Sequence, residues 1–109
     1  MRKFPKLLAI LASSTIVAFL ISLTANIMGI VSNNFPSHHT MYAFVIAISA
    51  ISFSKRLGIF CIILAIGISI WRIFGGYHSI SEVLGGVAIG IASVLISKTI
   101  LHFVLKEKE

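Results

Sequence analysis

The sequence predicts an all-α protein, a polytopic membrane helical bundle of about four transmembrane helices. The first observation is composition: 58% of the 109 residues are hydrophobic, 11% are charged, and the mean hydropathy is +1.06. A water-soluble domain of this length could not bury so much apolar surface. The second is the arrangement of four apolar runs between short polar segments. We therefore expect residues 1–109 to form a single membrane domain.

The net charge of +6 would suggest nucleic acid as a partner of a soluble protein. Here the basic residues stand in small groups between apolar runs, as the loop charges of membrane proteins do. The sequence therefore predicts contact with the lipid bilayer and no nucleic acid, and it leaves a homo-oligomer open.

The first predicted span covers about residues 7–31, which at 25 residues can cross a bilayer with some tilt. A signal peptide is the alternative, but the apolar run is too long and no small-residue cleavage site follows it. Small residues recur on one helical face, which predicts that this face packs into the bundle. They are Ser14, Ala18, Ser22, Ala25 and Gly29.

Two shorter spans are predicted at about residues 40–54 and 57–72, after a polar loop that runs from Ser32 to Thr40 and contains Pro36. Their apolar runs of 13 and 15 residues are short for a bilayer, which needs about 20. Each alone could be re-entrant, but flanking polar residues extend both.

The fourth predicted span covers about residues 81–104, after a break at Gly75 and Gly76. The spacing of Ser79 and Glu82 predicts a capping box at its start. Gly86 and Gly90 are expected to pack closely against the first span.

The basic residues orient these spans. If the spans alternate, every lysine and arginine except Arg72 falls at one membrane face. The positive-inside rule then predicts a multi-pass protein of the plasma (inner) membrane with both termini in the cytoplasm. The segments 32–40 and 72–82 would share the outer side.

One segment gathers ionisable residues in this apolar chain: Arg72, His78 and Glu82 lie within eleven residues. Such groups are expensive near hydrocarbon, so the cluster is a functional-site hypothesis. Ordinary explanations exist, since Glu82 could only cap a helix and Arg72 could only reach lipid phosphates. A zinc or copper site formed by His38, His39 and His78 is a further alternative.

Two motifs carry a family resemblance. Residues 35–40, FPSHHT, resemble P-S-G-H, and Arg72-x5-His78-x3-Glu82 followed by VLGG resembles S-R-x5-H-x3-D. Both motifs are typical of the type 2 phosphatidic acid phosphatase superfamily, which includes lipid phosphate phosphatases and bacterial undecaprenyl pyrophosphate phosphatases. The resemblance covers roughly residues 34–90 and implies a phosphatase acting on a lipid phosphate or polyprenyl pyrophosphate at the outer membrane face.

The resemblance also implies roles. His78 would be the nucleophile that forms a phosphohistidine, Glu82 the carboxylate that orients its imidazole, and His39 the general acid. Phosphate would be bound by side-chain donors and by backbone N–H groups in a glycine turn. The residues implied are Arg72, Ser37, Gly75 and Gly76. The reaction needs no metal and no other cofactor.

The chain also departs from the family pattern. The first motif, K-x6-R-P, is missing between residues 7 and 34, and four spans are predicted where the family usually has about six. Trp71 stands at the serine position, His38 at the glycine or aspartate position, and Glu82 at the aspartate position. An N-terminal truncation with loss of one ligand arm would produce this pattern. The alternative function is therefore a non-catalytic, truncated relative that acts as a structural or lipid-binding membrane protein.

Overall fold

The structure, a computed structural model, describes residues 3–29 and 37–108. This part of the chain contains four α-helices and no strand, which confirms the predicted all-α class. The helices are α1 (Lys3–Ile27), α2 (His38–Phe53), α3 (Lys55–Phe74) and α4 (Ile80–Lys108). Three of them are long and apolar enough to cross a membrane, whereas α2 has 16 residues. At 1.5 Å per residue α2 is about 24 Å long, somewhat less than the hydrocarbon core.

The four helices alternate in direction. Ser22 near the end of α1 contacts His38 at the start of α2. The start of α2 also contacts Trp71 near the end of α3 and, through Ser37, Glu82 in the first turn of α4. One end of the bundle, here called the site end, therefore holds residues 22–29, 37–40 and 71–82. The turn with Lys55 and Arg56 lies at the opposite end.

Helix α2 is the common support of the bundle. It packs against α1, α3 and α4, whereas α3 and α4 contact each other little. One buried cluster joins α1, α2 and α4 and a second joins α2 and α3. The Cα atoms fill a slab of 47 × 34 × 13 Å, so α1, α3 and α4 keep large apolar faces exposed, as lipid-facing helices do. The exposed large hydrophobic residues of α2 are only Ile46 and Ile51.

Small residues mark the close helix contacts. Ser14, Ala18 and Ser22 are buried and Ala25 is half-buried, as expected for an α1 face that packs into the bundle. The prediction is wrong for Gly29, which is exposed and follows the end of α1. The expectation that Gly86 and Gly90 pack against the first span is wrong, because both face α2. A Cβ atom on Gly86 would lie 2.7 Å from the Ser37 carbonyl oxygen, and one on Gly90 would lie 2.6 Å from that of Met41. A small-residue pattern identifies a face, but not the helix that covers it.

The connection between α2 and α3 is a single residue, Ser54. Its Oγ accepts a hydrogen bond from the backbone N–H of Leu57 at 3.4 Å and so caps α3. Gly58 makes the tight crossing possible, because a Cβ atom there would lie 2.7 Å from the Cα of Ile51. This hairpin sets the last turn of α3 beside the first turn of α2.

The polar loop predicted from Ser32 to Thr40 ends earlier in the structure than expected. Residues 30–36, with Pro36, lie outside the described residues. Helix α2 already begins at His38, so His38 and His39 are helical and do not lie in a loop. Ser37 precedes the helix in an extended conformation, and its N–H donates to the Glu82 carbonyl at 3.0 Å. This bond satisfies a backbone donor outside the helix and fixes the start of α2 against α4.

Candidate functional site

The start of α4 is held by the predicted capping box. The Ser79 N–H donates to Glu82 Oε1 at 2.9 Å, and the Glu82 N–H donates to Ser79 Oγ at 3.3 Å. The same Glu82 oxygen lies 3.2 Å from His78 Nδ1. One carboxylate oxygen therefore caps the helix and holds the imidazole that precedes it.

The His78–Glu82 pair is largely shielded, with side chains 14% and 18% exposed. A carboxylate can only accept, so Nδ1 carries the proton that it donates to Glu82. In the neutral imidazole the lone pair then belongs to Nε2. This tautomer gives His78 a nucleophilic nitrogen on the side of the ring away from Glu82.

The end of α3 is a tight turn built on Gly75 and Gly76. Their N–H groups donate to carbonyls of α3, from Gly75 to Trp71 at 2.9 Å and from Gly76 to Ile73 at 3.1 Å. Gly76 has φ +77°, a left-handed conformation that favours glycine. Both N–H groups are therefore engaged within the protein, and a bound phosphate would have to displace these bonds.

After the turn, the backbone of Tyr77 and His78 lies against the carbonyl of Arg72. The Arg72 carbonyl accepts from the N–H groups of Tyr77 and His78, each at 3.1 Å. The backbone thus fixes the distance between two of the predicted site residues. It also places the Tyr77 ring against the last turn of α3.

Arg72 lies in that last turn, where a positive charge complements the helix dipole. Its guanidinium carbon lies 4.3 Å from the Tyr77 ring centroid and 4.9 Å from that of Trp71. Its Nε is buried and has no hydrogen-bond partner among the described residues.

The two adjacent histidines of α2 face different helices. The His39 ring lies edge-on to Trp71, with centroids 6.2 Å apart and an interplanar angle of 89°. His38 Nε2 lies 3.2 Å from Ser22 Oγ of α1, and its ring stacks on Tyr42. His39 therefore lies beside Trp71 of α3, and His38 lies on the α1 side.

Ser37 lies where the two motifs meet. It is fully buried, and its hydroxyl donates to Thr40 Oγ1 at 3.2 Å while its N–H bonds to Glu82. In this arrangement Ser37 ties α2 to α4. Its hydroxyl could reach a phosphate only after leaving Thr40.

The three histidines of the alternative metal site are not brought together. His38, His39 and His78 have different neighbours, namely Ser22, Trp71 and Glu82. Across residues 3–29 and 37–108, no group of three histidine, cysteine or acidic side chains is arranged to hold a metal ion.

Comparison with known proteins identifies the family to which the chain belongs. The sequence profile of the PAP2 superfamily matches residues 5–106, nearly the whole chain. The chain belongs to the PAP2 superfamily. The resemblance carried by the two motifs is therefore confirmed, and membership suggests a membrane protein of the phosphatase type.

The chain is similar in sequence to the bacitracin transport permease protein BcrC of Bacillus licheniformis. The two are 35% identical over 65 residues, which are 60% of this chain and 32% of BcrC. The match therefore spans about a third of the relative. No solved structure matches the chain.

Two residues at the site end make contacts that were not predicted from the sequence. Tyr77 contacts Arg72, and Ser22 connects α1 to the start of α2. Tyr77 could have been found from the Gly75-Gly76 turn, which reverses the chain immediately before it. Ser22 gave no signal beyond its place on the small-residue face.

Proposed function

We propose that this PAP2 protein is a membrane-embedded phosphatase that hydrolyses a lipid phosphate or a polyprenyl pyrophosphate through a phosphohistidine. The observation that carries the proposal is the His78–Glu82 pair at the start of α4. Arg72 and His39 lie at the same end of the bundle, and family membership supports the reaction class.

In the proposed first step, His78 Nε2 attacks phosphorus and the bond from phosphorus to the leaving oxygen breaks. Glu82 keeps the proton on Nδ1 and stabilises the positive charge that develops on the imidazole. The leaving oxygen takes a proton from His39. The products of this step are the free alcohol, or the shortened phosphate ester, and phosphohistidine.

In the second step, water attacks the phosphohistidine and His39, now neutral, accepts its proton. The bond between phosphorus and Nε2 breaks, inorganic phosphate leaves and His78 is restored. His39 thus acts first as an acid and then as a base. Its place on α2, separate from His78 on α4, suits a group that acts on the opposite side of phosphorus.

Arg72 is the proposed phosphate ligand, because a guanidinium can donate two parallel N–H bonds to phosphoryl oxygens. The N-terminus of α4 adds a favourable dipole for the anion. We assign Ser37, Gly75 and Gly76 to the same phosphate region, where their donors would have to exchange present partners for phosphate.

The proposed membrane side is the outer face, with both termini in the cytoplasm. The basic residues Lys55 and Arg56 lie at the end opposite the site end, which supports this orientation. Reporter fusions after Lys55 should behave as cytoplasmic, and fusions after Gly76 as external. The opposite pattern would reject an outer-face site.

The decisive experiment is capture of the covalent intermediate. Purified protein is incubated with a lipid phosphate labelled at phosphorus and quenched. We expect label on the protein that is stable to alkali and labile to acid, and we expect its absence in His78→Ala. Phosphate release from a panel of lipid phosphates then identifies the substrate.

A non-catalytic, lipid-binding role is the second candidate, and one observation favours it. No lysine or arginine occurs between residues 7 and 54, so Arg72 would be the main cation of the site. Each missing charge-assisted bond to phosphate weakens the site by about 1.5 to 3 kcal/mol. If folded protein gives neither label nor release above the His78→Ala background, but still sediments with vesicles containing a phosphomonoester lipid, this role is correct.

A further inference from the structure

Arg72 lies against two aromatic rings at the end of α3. The ring centroids of Trp71 and Tyr77 are 5.7 Å apart with an interplanar angle of 59°, and the guanidinium carbon lies within 5 Å of both. These distances are within the range of cation–π interactions. We call this arrangement of Trp71, Arg72 and Tyr77 the aromatic clamp.

The glycine turn builds the clamp. A Cβ atom on Gly75 would lie 2.7 Å from the Tyr77 ring, so only glycine leaves room for the ring at this place. The left-handed conformation of Gly76 reverses the chain and returns Tyr77 to Arg72. The same two glycines were expected to expose N–H groups to phosphate, but here their visible effect is to position an aromatic ring.

We propose that Trp71 and Tyr77 are positioning residues that hold the Arg72 guanidinium ready for a phosphate or pyrophosphate group. The inference rests on the proposed function for the identity of the anion. A cation–π contact uses no N–H donor of the guanidinium, so contact with the two rings leaves those donors available for phosphoryl oxygens. Arg72 Nε is buried and has no partner among the described residues, so phosphate could reach it only if the neighbouring side chains moved. The terminal N–H groups of the guanidinium are therefore the donors that we assign to phosphate.

The clamp also connects the two motifs. Trp71 contacts both Arg72 and the His39 ring. A phosphate ligand and the proposed general acid thus share one aromatic neighbour, which occupies the position where the family pattern has serine. Loss of the Trp71 ring should therefore disturb both groups, whereas loss of the Tyr77 ring should act on Arg72 more than on His39, which Tyr77 reaches only through Trp71.

The test uses the intrinsic fluorescence of Trp71, the single tryptophan of the chain. Detergent-solubilised protein is titrated with inorganic pyrophosphate. We expect a saturable change in the wild type and a Kd raised roughly 2- to 30-fold in Tyr77→Leu, the range that one cation–π contact provides. Tyr77→Phe, which keeps the ring, should stay within about twofold of the wild type.

Two controls separate the clamp from general stability. Phe74→Leu removes a ring from the same helix end that is 87% exposed and outside the clamp, and it should leave the Kd unchanged. In an Arg72→Gln background, Tyr77→Leu should cause no further loss. Equal losses in Tyr77→Leu and Phe74→Leu, a loss that persists without Arg72, or no pyrophosphate binding by the wild type would overturn the proposal.

The outcomes also separate this inference from the proposed function. Pyrophosphate binding that depends on Tyr77, without phosphohistidine or phosphate release, would keep the clamp and reject catalysis. Turnover that is unaffected by Tyr77→Leu would keep the phosphatase and reject the clamp.

Discussion

The start of α4 and the end of α3 each present one charged group of the proposed site, but they position it by different interactions. Glu82 and His78 are held by hydrogen bonds in a capping box, at 2.9 to 3.3 Å. Arg72 is held by aromatic faces and by a glycine turn. Hydrogen bonds fix the direction of a ring nitrogen, whereas aromatic faces hold a cation and leave its donors free.

Helices α3 and α4 scarcely contact each other, so the two regions are joined by α2 and by the turn in which the Tyr77 and His78 N–H groups donate to the Arg72 carbonyl. Ser37 bonds to Glu82 on one side, and His39 contacts Trp71 on the other. A change in α2 should therefore disturb both regions, while a change confined to the side chain of Arg72 or Glu82 should act mainly on its own region.

The largest expected effect is a fall in kcat that occurs on substitution of His39 but not of His38. His39→Ala should lower kcat by about 10²- to 10⁴-fold with a smaller change in KM, because a general acid acts in the transition state. His38→Ala removes the contacts with Ser22 and Tyr42, both away from the proposed phosphate site, and should change kcat less than about threefold. Phosphate release from a lipid phosphate measures both, and equal losses would show that His39 has no special role.

The next prediction distinguishes two roles of the Glu82 carboxylate, which could orient the His78 imidazole or only cap α4. Glu82→Gln keeps a side chain that can complete a capping box but loses the carboxylate beside His78, so kcat should fall about 10²-fold with little change in stability. Ser79→Ala removes the cap and should lower the free energy of unfolding by about 1 kcal/mol while kcat changes little. Activity and thermal unfolding in detergent distinguish them. The reverse pattern would make Glu82 a cap alone.

A smaller effect tests the support that α2 gives to α4. Gly90→Ala places a Cβ atom against the backbone of α2 and should destabilise the protein by about 1 to 3 kcal/mol. Gly67→Ala is the matched control, because a Cβ atom there meets no described atom within 4 Å. It should stabilise α3 by up to about 1 kcal/mol. Thermal unfolding should show a lower Tm for Gly90→Ala and a higher Tm for Gly67→Ala. Equal changes in Tm would show that the α2–α4 contact is loose.

The smallest expected effect concerns the turn after α3. Gly76→Ala forces a left-handed conformation on alanine and should cost about 1 to 2 kcal/mol of stability. Gly29→Ala meets the same restriction at φ +71° near the end of α1 and should cost a similar amount. Only Gly76→Ala should also weaken pyrophosphate binding, since Tyr77 follows it. Equal pyrophosphate binding by the two variants would show that the turn does not position Arg72.

Much of the fold was predictable from the sequence because hydrophobicity and helix signals are local. Apolar runs located the four helices, and the spacing of Ser79 and Glu82 located the start of α4. The motif around His78 also predicted its carboxylate partner, because a spacing of four residues at a helix start brings the two side chains together.

The contacts between helices were decided only by the tertiary structure. The sequence predicted that Gly86 and Gly90 approach a helix, but the structure made that helix α2 and not α1. It likewise turned His39 toward Trp71 and His38 toward Ser22, although the two histidines are adjacent and chemically identical. Successive residues of a helix point about 100° apart, so their partners depend on which helices flank them, and no local pattern contains that information.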